Sequence, residues 1–177
     1  KQKNPQPPIS PVTGKREKNI QVYAMDDLDD YGEFLEAVSK GAHIQGLPAD
    51  TALAEYAPGQ FEINLKHKPD PLTACDNAVL LKRLIKGVGK NLGFQTTFMA
   101  KPYAMQAGSG MHIHVSLLNK KKKNVFMDPK SETGSPALHY AIGGMIRTMA
   151  ESMAIFCPNA NSYRRFQPDI YIPMAPT

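Results

Sequence analysis

Glu55 and Glu62 flank the segment Tyr56-Ala57-Pro58-Gly59-Gln60-Phe61, and two carboxylates so spaced can hold a divalent cation or share a proton. Pro58-Gly59 is a natural turn centre, with Pro at i+1 and Gly at i+2. A hairpin centred there sets Glu55 directly opposite Glu62, each three positions from its turn residue. Directly opposed residues share a sheet face, with Cβ atoms roughly 4.5–5.5 Å apart. The second strand alternates accordingly: Gln60, Glu62 and Asn64 take one face, and Phe61, Ile63 and Leu65 take the other. Carboxylates that close repel. A cation, a shared proton, or exposure to water with a lysine such as Lys66 nearby would each offset the repulsion.

A second constellation follows Ala107-Gly108-Ser109-Gly110, which leads into Met111-His112-Ile113-His114-Val115-Ser116. The Gly-Ser-Gly segment lets backbone amides approach a phosphate or carboxylate closely. A strand after it puts His112, His114 and Ser116 on one face, and Ile113, Val115 and Leu117 on the other. A single histidine so placed is more often structural. Three polar side chains in a row beside a carboxylate pair point instead to a mixed carboxylate/imidazole site for Mg²⁺ or Mn²⁺. Spacing alone leaves open whether the two strands are neighbours.

These residues need elements to carry them. Residues 1–18, rich in Lys, Pro and Gln, read as a connection. A short strand is expected at 20–25. The acidic run 26–30 opens a helix with an apolar stripe of Phe34, Leu35 and Val38, whose exit is bracketed by Gly41 and Gly46. Strands are expected at 51–56 and 60–67. A helix from Thr73, buried through Val79, Leu80, Leu84, Ile85 and Val88, ends at Gly93. Residues 94–100 and 110–118 read as strands, with 124–127 returning from the latter. Ser135-Pro136 starts a long helix reaching about Phe156.

Composition bounds the rest. The 177 residues suffice for one domain with a core. No apolar run approaches the roughly 18–20 residues of a membrane-spanning helix, and no signal-peptide pattern opens the chain, so no membrane role is expected. Cys75 and Cys157 make no disulfide framework and suit a reducing, cytoplasmic setting. The net charge of +5 gathers at Lys1, Lys3, Lys15 to Lys18, and Lys120 to Lys123. No aromatic residue interleaves with these cations; the last run reads as a solvated loop tip, and no nucleic acid is expected as a partner. The chain opens on Lys1 and closes in a Pro-rich stretch at Thr177, so a piece of a longer protein is expected.

Three segments carry a resemblance. Residues 55–62 resemble the glutamine synthetase motif that supplies two metal-binding glutamates. Residues 101–116 are similar to that family's ATP-region signature, with its Lys-Pro start, small-residue turn, His and final Ser. Asn161-Ser162-Tyr163-Arg164-Arg165 resembles the family segment whose second basic residue binds the glutamate carboxylate. The motifs stand in the family's order, and the resemblance covers most of the chain from about Ile20. It implies that Glu55, Glu62 and His112 are metal ligands for Mg²⁺ or Mn²⁺. His114 and Ser116 become ATP contacts, as does Asp50, which stands where the family has an acidic residue. Gly108 becomes a backbone contact to glutamate, and Arg165 the glutamate-binding arginine, a role suited to a planar bidentate donor.

The fold so implied is α+β: a curved, mostly antiparallel sheet with helices packed on its outer face. Residues 19–177 would be the central part of a catalytic domain, without the family's N-terminal β-grasp domain and C-terminal part. The upstream Glu-x-Glu metal strand and the downstream arginines would lie outside this stretch, which by itself is expected to be inactive. The implied activity is ATP-dependent ligation of the glutamate γ-carboxylate to ammonia or an amine through γ-glutamyl phosphate, in a large homo-oligomer. Ala107 stands where ammonia-using members usually carry Asn, and Arg164-Arg165-Phe166 replaces their Lys-Arg-Leu. With residues 60–65, these features resemble the γ-glutamyl-polyamine (putrescine) synthetase branch. A degenerate, non-catalytic member is the rival reading, against which intact Glu55, Glu62, His112 and Arg165 argue.

Overall fold

The computed structural model describes residues 6–20 and 22–166, in two compact units, the first ending at Gly108 and the second opening at Ser109. Among the described residues of 20–25 no strand forms. Val22 and Tyr23 make a turn, with Tyr23 at φ 57°, and Gln21 lies outside the described residues. The acidic run forms α1 (Met25–Asp30), with Asp26 and Asp27 in its first turn. Asp29 and Asp30 then load negative charge onto its C-terminal end, where the helix dipole is already negative. The helix stops at Tyr31 (φ −113°, ψ 21°), and α2 (Gly32–Ile44) starts at once. The expected stripe is present, with Phe34, Val38 and Ala42 buried at four-residue spacing. Gly41 lies inside α2 rather than at its exit, because α3 (Pro71–Asn91) needs its bare Cα. A Cβ there would stand 2.7 Å from Leu84 Cδ1. The chain leaves α2 through Gly46, at φ +66°.

Strands β1 (Ala49–Ala54) and β2 (Phe61–Leu65) pair antiparallel, with a bulge between Ala49 and Ala52. The expected direct opposition of Glu55 and Glu62 is not what forms. Leu53 faces Glu62, Ala54 faces Phe61, and the Glu55 N–H donates to the Gln60 carbonyl at 2.8 Å. The turn itself is as predicted. Gly59 sits at φ +69°, and the Gln60 N–H reaches the Ala57 carbonyl at 2.9 Å. That turn, however, lies within a four-residue loop, 56–59, because its twist does not suit a two-residue hairpin. The pairing therefore shifts by two positions, which keeps every side chain on its face. Glu55 and Glu62 become diagonal neighbours on one face, a typical spacing of roughly 7–8 Å and somewhat less between Cβ atoms.

Helix α3 starts at Pro71 rather than Thr73 because Asp70 caps it, accepting from the Leu72 and Thr73 N–H groups at 3.3 and 2.9 Å. Its buried stripe is Leu81, with Leu84, Ile85, Val88 and Leu92 partly buried beside it. Val79 and Leu80 face solvent instead, at 67% and 45% exposure. Contact with α2 selects that phase. Gly93, at φ +80°, ends α3 in a Schellman motif, in which Phe94 N–H reaches the Gly89 carbonyl at 2.7 Å. Phe94 then turns inward against Tyr31 and Phe34. The core joins Phe34, Val38, Ala42, Leu47 and Leu81 to the inner face of the hairpin, Ile63 and Leu65. Leu81→Ala should therefore destabilise the fold by about 2–4 kcal/mol, whereas Val79→Ala should change it by less than about 0.5 kcal/mol. Urea titration of both variants checks the phase.

In the second unit, residues 111–117 form no strand. The pairing described there is a bridge between Leu118 and Asn124, extended by Val125 N–H to the Leu117 carbonyl at 2.7 Å. Residues 94–100 form no strand either. Among the described residues neither segment has a neighbouring strand to supply ladder hydrogen bonds, and alternation alone does not make a sheet. Ser135 caps α4 (Pro136–Phe156), as expected. Its Oγ accepts from Leu138 N–H at 3.3 Å and donates to the Val125 carbonyl at 2.7 Å. Helix α5 (Ala160–Tyr163) follows, capped by Asn159. The architecture is α+β: the first unit has a two-stranded antiparallel sheet contacted by α1 and α2, and the second unit carries α4 and α5.

Candidate active site

In the first unit the hairpin holds Glu55 at the end of β1 and Glu62 within β2, both half-buried. Lys66, the cation that could have screened them, lies instead 3.1 Å from Asp50. Among the described residues neither glutamate carboxylate has an ion-pair or hydrogen-bond partner. Two half-buried carboxylates on one face without a protein counter-charge repel, and hard oxygen donors of this kind fit Mg²⁺ or Mn²⁺. Among the described residues no group of three His, Cys, Asp or Glu side chains is gathered to hold a metal. The hairpin therefore sets two carboxylates on one face, with no third ligand beside them among the described residues. Asp50 lies at the β1 bulge with about half its side chain exposed and its charge engaged by Lys66.

Sequence reasoning placed Gln60 only as one member of an alternating face. The structure gives it more. Its Oε1 accepts from Ala57 N–H at 3.0 Å, and its Nε2 donates to the Gly108 carbonyl at 3.1 Å, 48 residues away. Gly108, the head of the Gly-rich segment, is thereby tied to the carboxylate hairpin. The loop leading to it is closed by buried Lys101, whose Nζ donates to the Gln106 carbonyl at 2.5 Å. Tyr103, whose hydroxyl reaches the Gln6 carbonyl at 3.1 Å, is pushed to a higher pKa by burial. A polar side chain next to a Pro-Gly turn was the one signal for Gln60, and it names no partner.

The second unit brings together Gly110, His112 and Arg165. From the point where a Cβ on Gly110 would stand, the two terminal guanidinium nitrogens of Arg165 are 3.5 and 3.7 Å away, and His112 Nε2 is 3.6 Å away. Arg165 is held just beyond α5. Asn159 accepts from Ser162 N–H at 3.2 Å, and Arg165 N–H reaches the Ser162 carbonyl at 3.2 Å. Its Nε is buried and, among the described residues, has no hydrogen-bond partner. A buried charged donor without an acceptor is uncommon. Here it belongs to a planar fork whose other nitrogens border the open Cα of Gly110, an arrangement that suits a carboxylate. His112, His114 and Ser116 are exposed.

The glutamine synthetase catalytic domain family matches residues 1–177. Gamma-glutamylputrescine synthetase of Escherichia coli (strain K12) is 48% identical over 168 residues, covering 95% of this chain and 35% of that protein. Glutamate–isopropylamine ligase of a Pseudomonas species is 35% identical over 158 residues, covering 89% of this chain and 33% of that protein. Among solved structures, the complex of GmaS with ADP aligns with a TM-score of 0.78 at 27% identity, over 86% of this chain and 35% of that one. The chain thus spans about a third of the length of these relatives.

Proposed function

Because this chain belongs to the glutamine synthetase catalytic domain family, we propose that the full-length protein is an ATP-dependent ligase joining the γ-carboxylate of glutamate to an amine, with putrescine the preferred acceptor. The observation that carries the reading is that each unit holds a charge unmet among the described residues: in the first, two half-buried glutamates without a counter-cation, and in the second, a buried guanidinium Nε without an acceptor. The first asks for a cation and the second for an anion. Glutamate bound through its α-carboxylate and a metal nucleotide would meet both. The amine preference is supported by Ala107 and by similarity to relatives named for amine acceptors.

In this reading Glu55, Glu62 and His112 would hold Mg²⁺ or Mn²⁺. When bound, such an ion neutralises the charge that develops on the transferring phosphoryl oxygens. Arg165 grips the substrate carboxylate, and Gly108 contributes a backbone contact that orients it. His114, Ser116 and Asp50 are proposed nucleotide contacts. Positioning dominates the chemistry. The γ-carboxylate oxygen takes the terminal phosphoryl group of ATP with loss of ADP, and the neutral amine then attacks the acyl carbon and expels phosphate. Assembly into a large homo-oligomer and a reducing, cytoplasmic setting belong to the same reading, the latter supported by free Cys75 and Cys157. Among the described residues no helix is long and apolar enough to cross a membrane.

Phosphate release by the purified full-length protein tests the proposal. With ATP, Mg²⁺ and glutamate present, kcat/KM for putrescine should exceed that for ammonia by about a hundredfold, as expected for an acceptor pocket built around a longer substrate. A preference for ammonia would refute the amine assignment. Absence of glutamate-dependent release with either acceptor would refute the ligase reading.

A further inference from the structure

We propose that Gln60 is a positioning residue that couples the carboxylate hairpin to the glutamate-contacting segment at Gly108. The inference rests on the ligase reading for what the coupling is worth, and on geometry alone for its existence. Every polar group of Gln60 is engaged. Its carbonyl accepts from Glu55 N–H at 2.8 Å, and its N–H donates to the Ala57 carbonyl at 2.9 Å. Its side-chain Oε1 accepts from Ala57 N–H at 3.0 Å, and Nε2 donates to the Gly108 carbonyl at 3.1 Å. The two backbone bonds already close the turn. The Nε2 bond adds nothing to the hairpin and acts only on the distant glycine.

The orientation of the amide is unambiguous. Ala57 presents a donor and Gly108 an acceptor, so rotating the amide by half a turn would set N–H against N–H and oxygen against oxygen. A planar peptide held at its carbonyl cannot flip. Glycine, with its open conformational space, is the residue that most needs such a hold. Gln60 stands between Glu55 and Glu62 in the sequence; its backbone holds the turn of the carboxylate hairpin, and its side-chain Nε2 holds the pose of Gly108. Loss of the Nε2 bond should therefore appear in glutamate binding and leave the carboxylates in place.

The test uses the full-length protein with Gln60→Ala and Gln60→Glu. Gln60→Ala removes both side-chain bonds, of which only the one to Gly108 lacks a backbone bond beside it; it should raise KM for glutamate by about tenfold, with KM for ATP and Mn²⁺ affinity changed less than about twofold. Gln60→Glu should be as impaired, because its carboxylate has no N–H to give the Gly108 carbonyl. A loss confined to glutamate KM is a signature that a merely misfolded turn would not give. Unchanged glutamate KM in both variants overturns the proposal, as does equal loss of glutamate, ATP and metal binding. Hydrogen exchange over residues 104–108 supplies a readout independent of turnover. Faster exchange in Gln60→Ala supports the tether, and unchanged exchange overturns it even if the ligase reading fails.

Discussion

Replacing Arg165 with lysine is expected to lower kcat/KM for glutamate by roughly a hundredfold, about 3 kcal/mol, while leaving thermal stability unchanged or slightly raised. The two halves of this expectation come from the same atoms. Lysine keeps the charge but presents a compact ammonium, so it cannot reproduce a fork whose terminal nitrogens border Gly110 and whose Nε points into a buried space. Two charge-assisted bonds to the substrate carboxylate would be reduced to one. The native fold, by contrast, gains nothing from Nε, which is desolvated without an acceptor among the described residues. Removing it relieves a cost. Steady-state kinetics with glutamate varied, together with a thermal melt, check both sides. A glutamate KM within about threefold of wild type, at unchanged kcat, would remove Arg165 from the substrate site.

The second large effect is expected at the hairpin. Glu62→Gln should weaken Mn²⁺ binding and reduce kcat by at least about a hundredfold, since loss of an outer-sphere partner already costs about 10–100-fold in metal sites. Its stability signature should change sign with the metal. In chelator, the neutral side chain relieves repulsion between two same-face carboxylates, and the variant should melt no lower than wild type. With saturating Mn²⁺, wild type should gain stability by ligand linkage while the variant gains little. Lys66→Ala is the control, because it removes only an exposed pair with Asp50 and should cost less than about 0.5 kcal/mol. If Mn²⁺ stabilises wild type and Glu62→Gln equally, the hairpin is not the metal site.

Much of this was legible in the residues, for identifiable physical reasons. Ser135-Pro136 started α4 where expected and Phe156 ended it, because cap chemistry is local. Periodicity alone starts α3 near Thr73, but Asp70, the stronger cap and directly before a proline, starts it at Pro71. The Pro-Gly turn follows from its two residues, whereas the pairing around it does not, since turn type constrains loop length without fixing it. The shared face of Glu55 and Glu62 survives the shift in pairing because the shift is even. Val79-Leu80-Leu81 is a continuous apolar triple, so periodicity could not choose its buried member, and packing against α2 chose Leu81. Residues 111–117 alternate well, yet Ile113 and Val115 are each 71% exposed, because a pattern states what a strand would bury and not whether a partner exists. Gln60 with Gly108, and Gly110 with Arg165, are meetings across 48 and 55 positions, and no local pattern encodes such pairs.

The bare Cα of Gly41 carries a consequence for genetics. It lets α3 close on α2, and the same core seats Ile63 and Leu65, the inner face of the strand that bears Glu62. A larger side chain at position 41 must displace Leu84, and that displacement passes through the core to the strand beneath the carboxylates. In a mutational map scored by activity alone, Gly41 and Leu84 would rank beside the glutamates, although neither bears a group that could take part in the chemistry. Scoring abundance alongside activity separates the two kinds of position: losses at Gly41 follow the amount of folded protein, and losses at Glu62 do not.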